Sequence, residues 1–199
     1  MSLRGLPPQS LIDSIPGLGS SKPREPAPVH LWHPPLSGEM DMHITRDGTW
    51  YHEGGPIRRK ALVQLFAGIL RLDEDGRYYL VTPVERWAIQ VDDVPFVATT
   101  LQVQGSGTDQ VLFFTTNLEE QVEVNLEHPI RVVVDAKTEE PSPYVRVRSN
   151  LDALISRTLF YQLVDLAVEH QYGGQAVLGV WSHGHFFPID GSLNRSDPS

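Results

Sequence analysis

The chain has 199 residues, 40% hydrophobic and 21% charged, a size and balance that suffice for one large or two small folded domains and set aside general disorder. Sixteen Lys and Arg against twenty-five Asp and Glu give a formal net charge of −9, which opposes binding to a nucleic acid polymer or an anionic membrane surface. The absence of cysteine removes disulfides, thiolate metal sites and cysteine nucleophiles, and fits a reducing compartment.

Eight of the sixteen prolines fall within the first 35 residues, so residues 1–28 are expected to be a flexible arm with one apolar turn at Leu11, Ile12 and Ile15. The segment from Met1 to Lys22 has no apolar run of signal-peptide length, and no uncharged stretch approaches the roughly 18 residues of a membrane helix. The expected location is cytoplasmic.

From Met40 the pattern alternates. Asp47-Gly48 between Met42-His43-Ile44 and Trp50-Tyr51-His52 is a hairpin turn signal. Pro56 then opens a run in which Ala61, Leu62, Leu65, Phe66, Ile69 and Leu70 recur at helical spacing, predicting an amphipathic helix. After Asp75-Gly76, strands are predicted at Tyr78–Pro83, Trp87–Val91 and Phe96–Val103. Further strands are predicted at Gln110–Thr115, Gln121–Asn125, Ile130–Asp135 and Tyr144–Arg148. Ser149 and Asp152 have capping-box spacing, and a long helix is predicted from Leu151 to about His170, ended by Gly173-Gly174. Ala176–Trp181 and His185–Ile189 read as a closing pair of strands, followed by a polar tail over 191–199.

Adding 98 to the residue number lays Ile57, Arg59, Gln64 and Leu65 on Ile155, Arg157, Gln162 and Leu163, and Leu80 on Leu178. The pattern argues for one duplicated supersecondary unit. The predicted fold class is therefore α+β: two related units, over 29–97 and 98–190, each a mostly antiparallel sheet or set of hairpins packed on one helix.

The segments Val29-His30-Leu31-Trp32, Gly48-Thr49-Trp50, Gly55-Pro56-Ile57-Arg58-Arg59, Leu80-Val81-Thr82-Pro83-Val84-Glu85 and Val91-Asp92-Asp93-Val94-Pro95-Phe96 resemble a bacterial family, domain of unknown function family 1285. Pro143-Tyr144-Val145-Arg146-Val147-Arg148, Ser156-Arg157, Phe160-Tyr161 and Gly179-Val180-Trp181-Ser182 extend the resemblance over residues 29–190, in order. The resemblance implies two related α+β domains, the second like a pleckstrin-homology fold. It also implies a small-ligand site between them for a nucleotide-like molecule, and a role in signalling.

Candidate binding residues follow from charge and aromatic placement. Arg59 and Arg157 occupy equivalent positions toward the start of the two predicted helices, where the dipole disfavours a cation unless it meets an anion; an ion pair to Glu85 or another acid is the alternative. Arg146 and Arg148 leave one face of a strand beside Tyr144 and suit a phosphate or a nucleobase, or are an ordinary solvated strand face. Trp50 with His52, and Trp181 with Ser182, offer aromatic platforms on hairpins or else belong to the core.

His183 and His185 could begin a metal site with His43, His52 or Glu53, but a dependable third ligand is lacking, and neither metal nor cofactor is expected. Gly105-Ser106-Gly107 lacks a nucleophile elbow, and Gly17-Leu18-Gly19-Ser20-Ser21-Lys22 follows no strand and reads as linker. The leading reading is thus a ligand-binding or regulatory module taking a small anion. The alternatives are a protein–protein adaptor, and a hydrolase using Glu85 as base with Thr82 or Ser182 nearby.

Overall fold

A computed structural model of the chain describes residues 27–191. Residues 1–26 of the arm expected over 1–28, including Leu11, Ile12 and Ile15, and the tail from 192 onward lie outside the described residues. The chain divides into two compact units, one ending at Pro95 and the other beginning at Phe96. Both are sheet-rich, with two α-helices among the described residues.

The first unit begins with β1 (Leu36–Ile44), in which Met40, Met42 and Ile44 turn inward while Asp41 and His43 do not. The hairpin to β2 (Trp50–His52) is set by Asp47, whose carboxylate accepts from the Thr45 hydroxyl at 2.6 Å and the Thr49 N–H at 3.0 Å, and by Gly48 at φ +82°. After β3 (Gly55–Pro56) comes helix α1 (Lys60–Ala67), which buries Val63, Leu65, Phe66 and Ala67. Strands β4 (Leu70–Leu72), β5 (Tyr78–Val81) and β6 (Arg86–Val91) complete the unit. The sheet order is β3-β2-β1-β6-β5-β4, with β1 and β6 parallel and every other pair antiparallel. Trp50 stacks on Phe66 at 6.5 Å, and Met42, Ile44, Ile69, Leu70 and Leu80 are also fully buried.

The second unit repeats that sheet. Strands β7 (Phe96–Gln104), β8 (Val111–Thr116), β9 (Gln121–Glu123), β10 (Ile130–Val134), β11 (Pro141–Arg148) and β12 (Leu151–Ile155) take the order β10-β11-β12-β7-β8-β9. Here β7 and β12 are the parallel pair. In both units, then, two three-stranded meanders are joined through the first strand of one and the last strand of the other. Helix α2 (Arg157–Leu166) follows, and then a separate three-stranded sheet, β13 (Val168–Tyr172), β14 (Gln175–Ser182) and β15 (His185–Pro188). Adding 98 to the bounds of α1, β4 and β5 gives 158–165, 168–170 and 176–179, which fall inside α2, β13 and β14.

The single helix predicted from Leu151 to His170 is three elements. Leu151, Ala153 and Ile155 alternate into the core of a strand, and Ala153 pairs with Phe96. Ser149, at φ +46°, belongs to the β11–β12 turn and caps nothing; Ser156 occupies the helix N-cap position without a side-chain cap bond. Gly173 and Gly174, at φ +61° and +87°, turn β13 into β14. No described helix is long and apolar enough to cross a membrane.

Candidate functional site

Within the second unit, register puts Arg131 on β10 opposite Tyr144 on β11, and Arg146 on β11 opposite Asp152 on β12. Residues opposite one another share a face, and so do alternate residues of one strand, so the four side chains gather on one face. The other face carries Ile130, Val145 and Ala153, all buried. The β-propensity of the Ile-Arg-Val-Val-Val and Tyr-Val-Arg-Val-Arg runs therefore sets which residues are core and which can meet solvent.

Asp152 is the centre of this group, with a side chain only 8% exposed. Its Oδ2 accepts from Arg131 Nε at 3.1 Å and Nη2 at 2.8 Å, and its Oδ1 accepts from Arg146 Nε. Arg146 Nη1 also donates to the Ser149 carbonyl at 2.9 Å, and the Arg131 guanidinium lies 4.3 Å from the centre of the Tyr144 ring. Two guanidinium cations share one carboxylate, and their side chains remain 40% and 31% exposed. Arg131 Nη1 and Arg146 Nη2 hold no bond to a described residue, so a forked set of donors is left for a solvent-side acceptor.

The first unit has a cluster of the same chemistry in which one of the two arginines, Arg71, is held by its own main chain. Asp73 accepts from Arg71 Nε at 2.5 Å and from Arg86 Nη1 at 3.0 Å, and Arg86 lies 4.9 Å over the Tyr79 ring. Arg71 Nη1 then donates to the carbonyls of Val29 and Trp32, at 2.8 and 2.7 Å, and pins the entry segment. In the first unit Arg71 spends its outward donor on two main-chain oxygens. In the second, Arg146 reaches one, at Ser149, while Arg131 Nη1 and Arg146 Nη2 meet none among the described residues.

Of the residues singled out by sequence, Arg146 and Arg148 share β11. Arg148 is matched to Glu120, with its guanidinium 5.0 Å from the Phe96 ring, and a register irregularity separates it from the Arg146 group. Arg157 is exposed at the start of α2, and Arg59 is exposed at the N-cap of α1; neither ion-pairs with a described residue. Glu85 instead accepts from Trp87 Nε1 at 3.2 Å. Thr82 is fully buried, and its hydroxyl accepts from the N–H groups of Glu85 at 3.1 Å and Val84 at 3.4 Å, closing the β5–β6 turn.

Trp50 lies in the core, and His52 is buried with Nδ1 donating to the Asp41 carbonyl at 2.8 Å. Trp181 is half-buried, 4.9 Å from the His170 ring and 5.3 Å from the Phe186 ring. The Ser182 hydroxyl is fully buried, donating to the Val124 carbonyl at 2.7 Å and accepting from the Leu112 N–H at 3.1 Å. Since Val124 N also donates to Leu112 O, Ser182 stands in the β8–β9 ladder where a direct bond would run. His183 sits at φ +52° in a turn against Glu123, so the His183/His185 pair does not project from one strand. No three His, Asp or Glu side chains come together as a metal site among the described residues.

Sequence reasoning missed Arg131 and the role of Asp152. The available signal was an Arg one strand before Tyr144-x-Arg146, with an Asp just past the following turn.

Comparison with known proteins places these units. Residues 27–94 match the model described as "Domain of unknown function (DUF1285), N-terminal domain", and residues 95–189 match "Protein of unknown function (DUF1285), C-terminal domain". The chain is similar to the crystal structure of a DUF1285 family protein from Silicibacter pomeroyi DSS-3, at 50% identity and a TM-score of 0.78, covering 84% of this chain and 89% of that one. A DUF1285 family protein from Shewanella baltica OS155 shares the fold at 23% identity and a TM-score of 0.50, covering 63% of this chain and 91% of that one. No curated protein matches the chain.

Proposed function

The chain belongs to the DUF1285 family, a family described by two domains and no activity, and from that premise we propose that it is a binding module for a small anion bearing phosphate or carboxylate. The observation that carries this reading is the pair Arg131 and Arg146. A single, nearly buried carboxylate fixes both guanidiniums yet neutralises only one, leaving a net positive group with oriented, unused donors.

The setting supports selectivity. From Phe96 onward the sequence has thirteen Asp and Glu against six Lys and Arg, and three of those six lie on β10 and β11. A nucleotide-like ligand fits such a site through its phosphates, and a regulatory or signalling role would follow if occupancy changed what the second unit binds. The pleckstrin-homology-like character that the family resemblance implies for this unit belongs to the same reading. The hydrolase alternative gains no support from geometry: the Thr82 and Ser182 hydroxyls are both committed to main-chain partners.

Isothermal titration of the full chain with pyrophosphate and with ATP tests the proposal. Arg131→Ala and Arg146→Ala are each expected to weaken binding by roughly tenfold or more, the loss of one charge-assisted bond pair. Arg148→Ala is expected to leave it within about twofold, its guanidinium being matched to Glu120 and separated from the Arg146 group by a register irregularity. Binding lost equally in all three variants, or absent in the unaltered chain, would overturn the assignment.

A further inference from the structure

The three-stranded sheet has two unlike edges. On β14, Leu178 O accepts from Ile189 N at 2.9 Å, and Leu178 N donates to Asp190 Oδ2 at 3.3 Å, so the main-chain groups of Leu178 face the β15 side. Successive residues of a strand turn their main-chain groups to opposite sides, so those of Val177 and Gly179 face β13, where they meet His170 and Val168. The inward-bonded residues of β13 are then Val168, His170 and Tyr172. Glu169 and Gln171 direct two N–H and two C=O groups away from the sheet, and no described strand pairs with that side. All five β13 residues are exposed.

On the other edge, Pro188 stands opposite Gly179, at a position turned outward, and has no N–H to offer. Proline there blunts the β15 edge against pairing, whereas β13 has no such device. On one face, Val168, His170 and Tyr172 lie beside Trp181 and Phe186, with ring separations of 4.8 Å for His170–Phe186 and 5.9 Å for Tyr172–Phe186.

We propose that β13 is a dimer interface, pairing antiparallel with β13 of a second copy of this chain about a twofold axis through His170. In that register Glu169 faces Gln171 of the other copy, and the reverse, which joins all four outward main-chain groups of each strand in four hydrogen bonds. A slip of one residue sets outward-bonding residues against inward-bonding ones. A slip of two, centred on residue 169, sets the Glu169 carboxylates against each other. The register on His170 is the one in which the ladder closes and a carboxylate meets an amide donor. It also lays Val168 of one copy beside Tyr172 of the other, extending the aromatic face across the axis.

Sedimentation velocity on the full chain, from low micromolar to near-millimolar concentration, reads this directly. The mass is expected to rise toward twice the monomer value. Gln171→Glu, an exposed substitution that leaves the inward bonds alone, opposes Glu169 with a second carboxylate on both sides of the axis and is expected to raise the dissociation constant by roughly tenfold. Adding Glu169→Lys to that variant restores opposite charges in register and is expected to restore the dimer. A monomer at every concentration overturns the proposal, as does a dimer indifferent to Gln171→Glu, or one not recovered by the double variant.

Discussion

Asp75 lies in the β4–β5 turn, where its carboxylate accepts from Tyr79 Oη at 2.6 Å and from the Arg77 N–H at 3.0 Å. The Tyr79 bond, then the Arg77 bond, hold the Asp75 carboxyl below its ordinary range; the same bond, then burial, push the Tyr79 phenol up. A carboxylate lowered by folding contributes stability above its unfolded value, near 3.9, and loses it as pH falls through the folded value. A phenol raised by folding contributes below about 10 and loses that contribution as pH climbs through its folded value. Asp75→Asn should therefore flatten both the acid and the alkaline limbs of a plot of Tm against pH. Identical limbs in the two proteins would contradict the assignment. At this scale the sequence was readable where a residue acts within its own strand and opaque where it acts across strands. Arg146 and Tyr144 share a face by simple alternation, but Arg131 joins them only through β10–β11 register. Asp152 imitates a capping residue because a two-residue hairpin turn produces the same Ser-x-x-Asp spacing as a helix start.

Ser182 shows what an element end can do. Its hydroxyl takes the Leu112 N–H and the Val124 carbonyl out of direct pairing and so ties β14 to the β8–β9 edge. Ser182→Ala leaves two buried main-chain groups without their partner and is expected to cost about 1–3 kcal/mol, read as a lower urea midpoint at unchanged m value. A cost near zero would mean that the β8–β9 ladder closes across the gap. Most strands were legible as elements, because alternation and turn residues such as Asp47-Gly48 and Asp75-Gly76 mark them locally. The region from Leu151 to Tyr172 was not, for a specific reason. It contains neither Gly nor Pro, and Leu151, Ile155, Leu159 and Leu163 fall at helical spacing, although the first two sit on a strand. Pairing of β12 with β7 overrides that local pattern. The short strand β4 was hidden for a related reason: Ile69 and Leu70 continue the helical stripe after α1 has ended.

Across the whole molecule, the −9 net charge sets the conditions under which an anion can reach Arg131 and Arg146. At about 0.01 M salt the screening length is roughly 30 Å and an approaching anion feels most of the protein's negative charge; at about 0.1 M it is roughly 10 Å and the local cations dominate. Pyrophosphate affinity is therefore expected to hold or increase between these salt levels, the reverse of a basic surface that binds polyanions. A steep fall in the same titration would show that the attraction is long-ranged and not confined to the pair. The parallel strand pairs bear on something else, the order in which the protein can be made. Each six-stranded sheet joins its earliest strand to its latest, residues 36–44 to 86–91 and 96–104 to 151–155. Neither sheet can close until its last strand has left the ribosome, and such distant pairings slow folding. The nine-residue strand β7 can zip to β8 at once, but the Phe96–Ala98 stretch of its other edge must wait for β12, as β1 must wait for β6. During that interval each waiting edge of the nascent chain is open to capture by a chaperone or by a neighbouring copy.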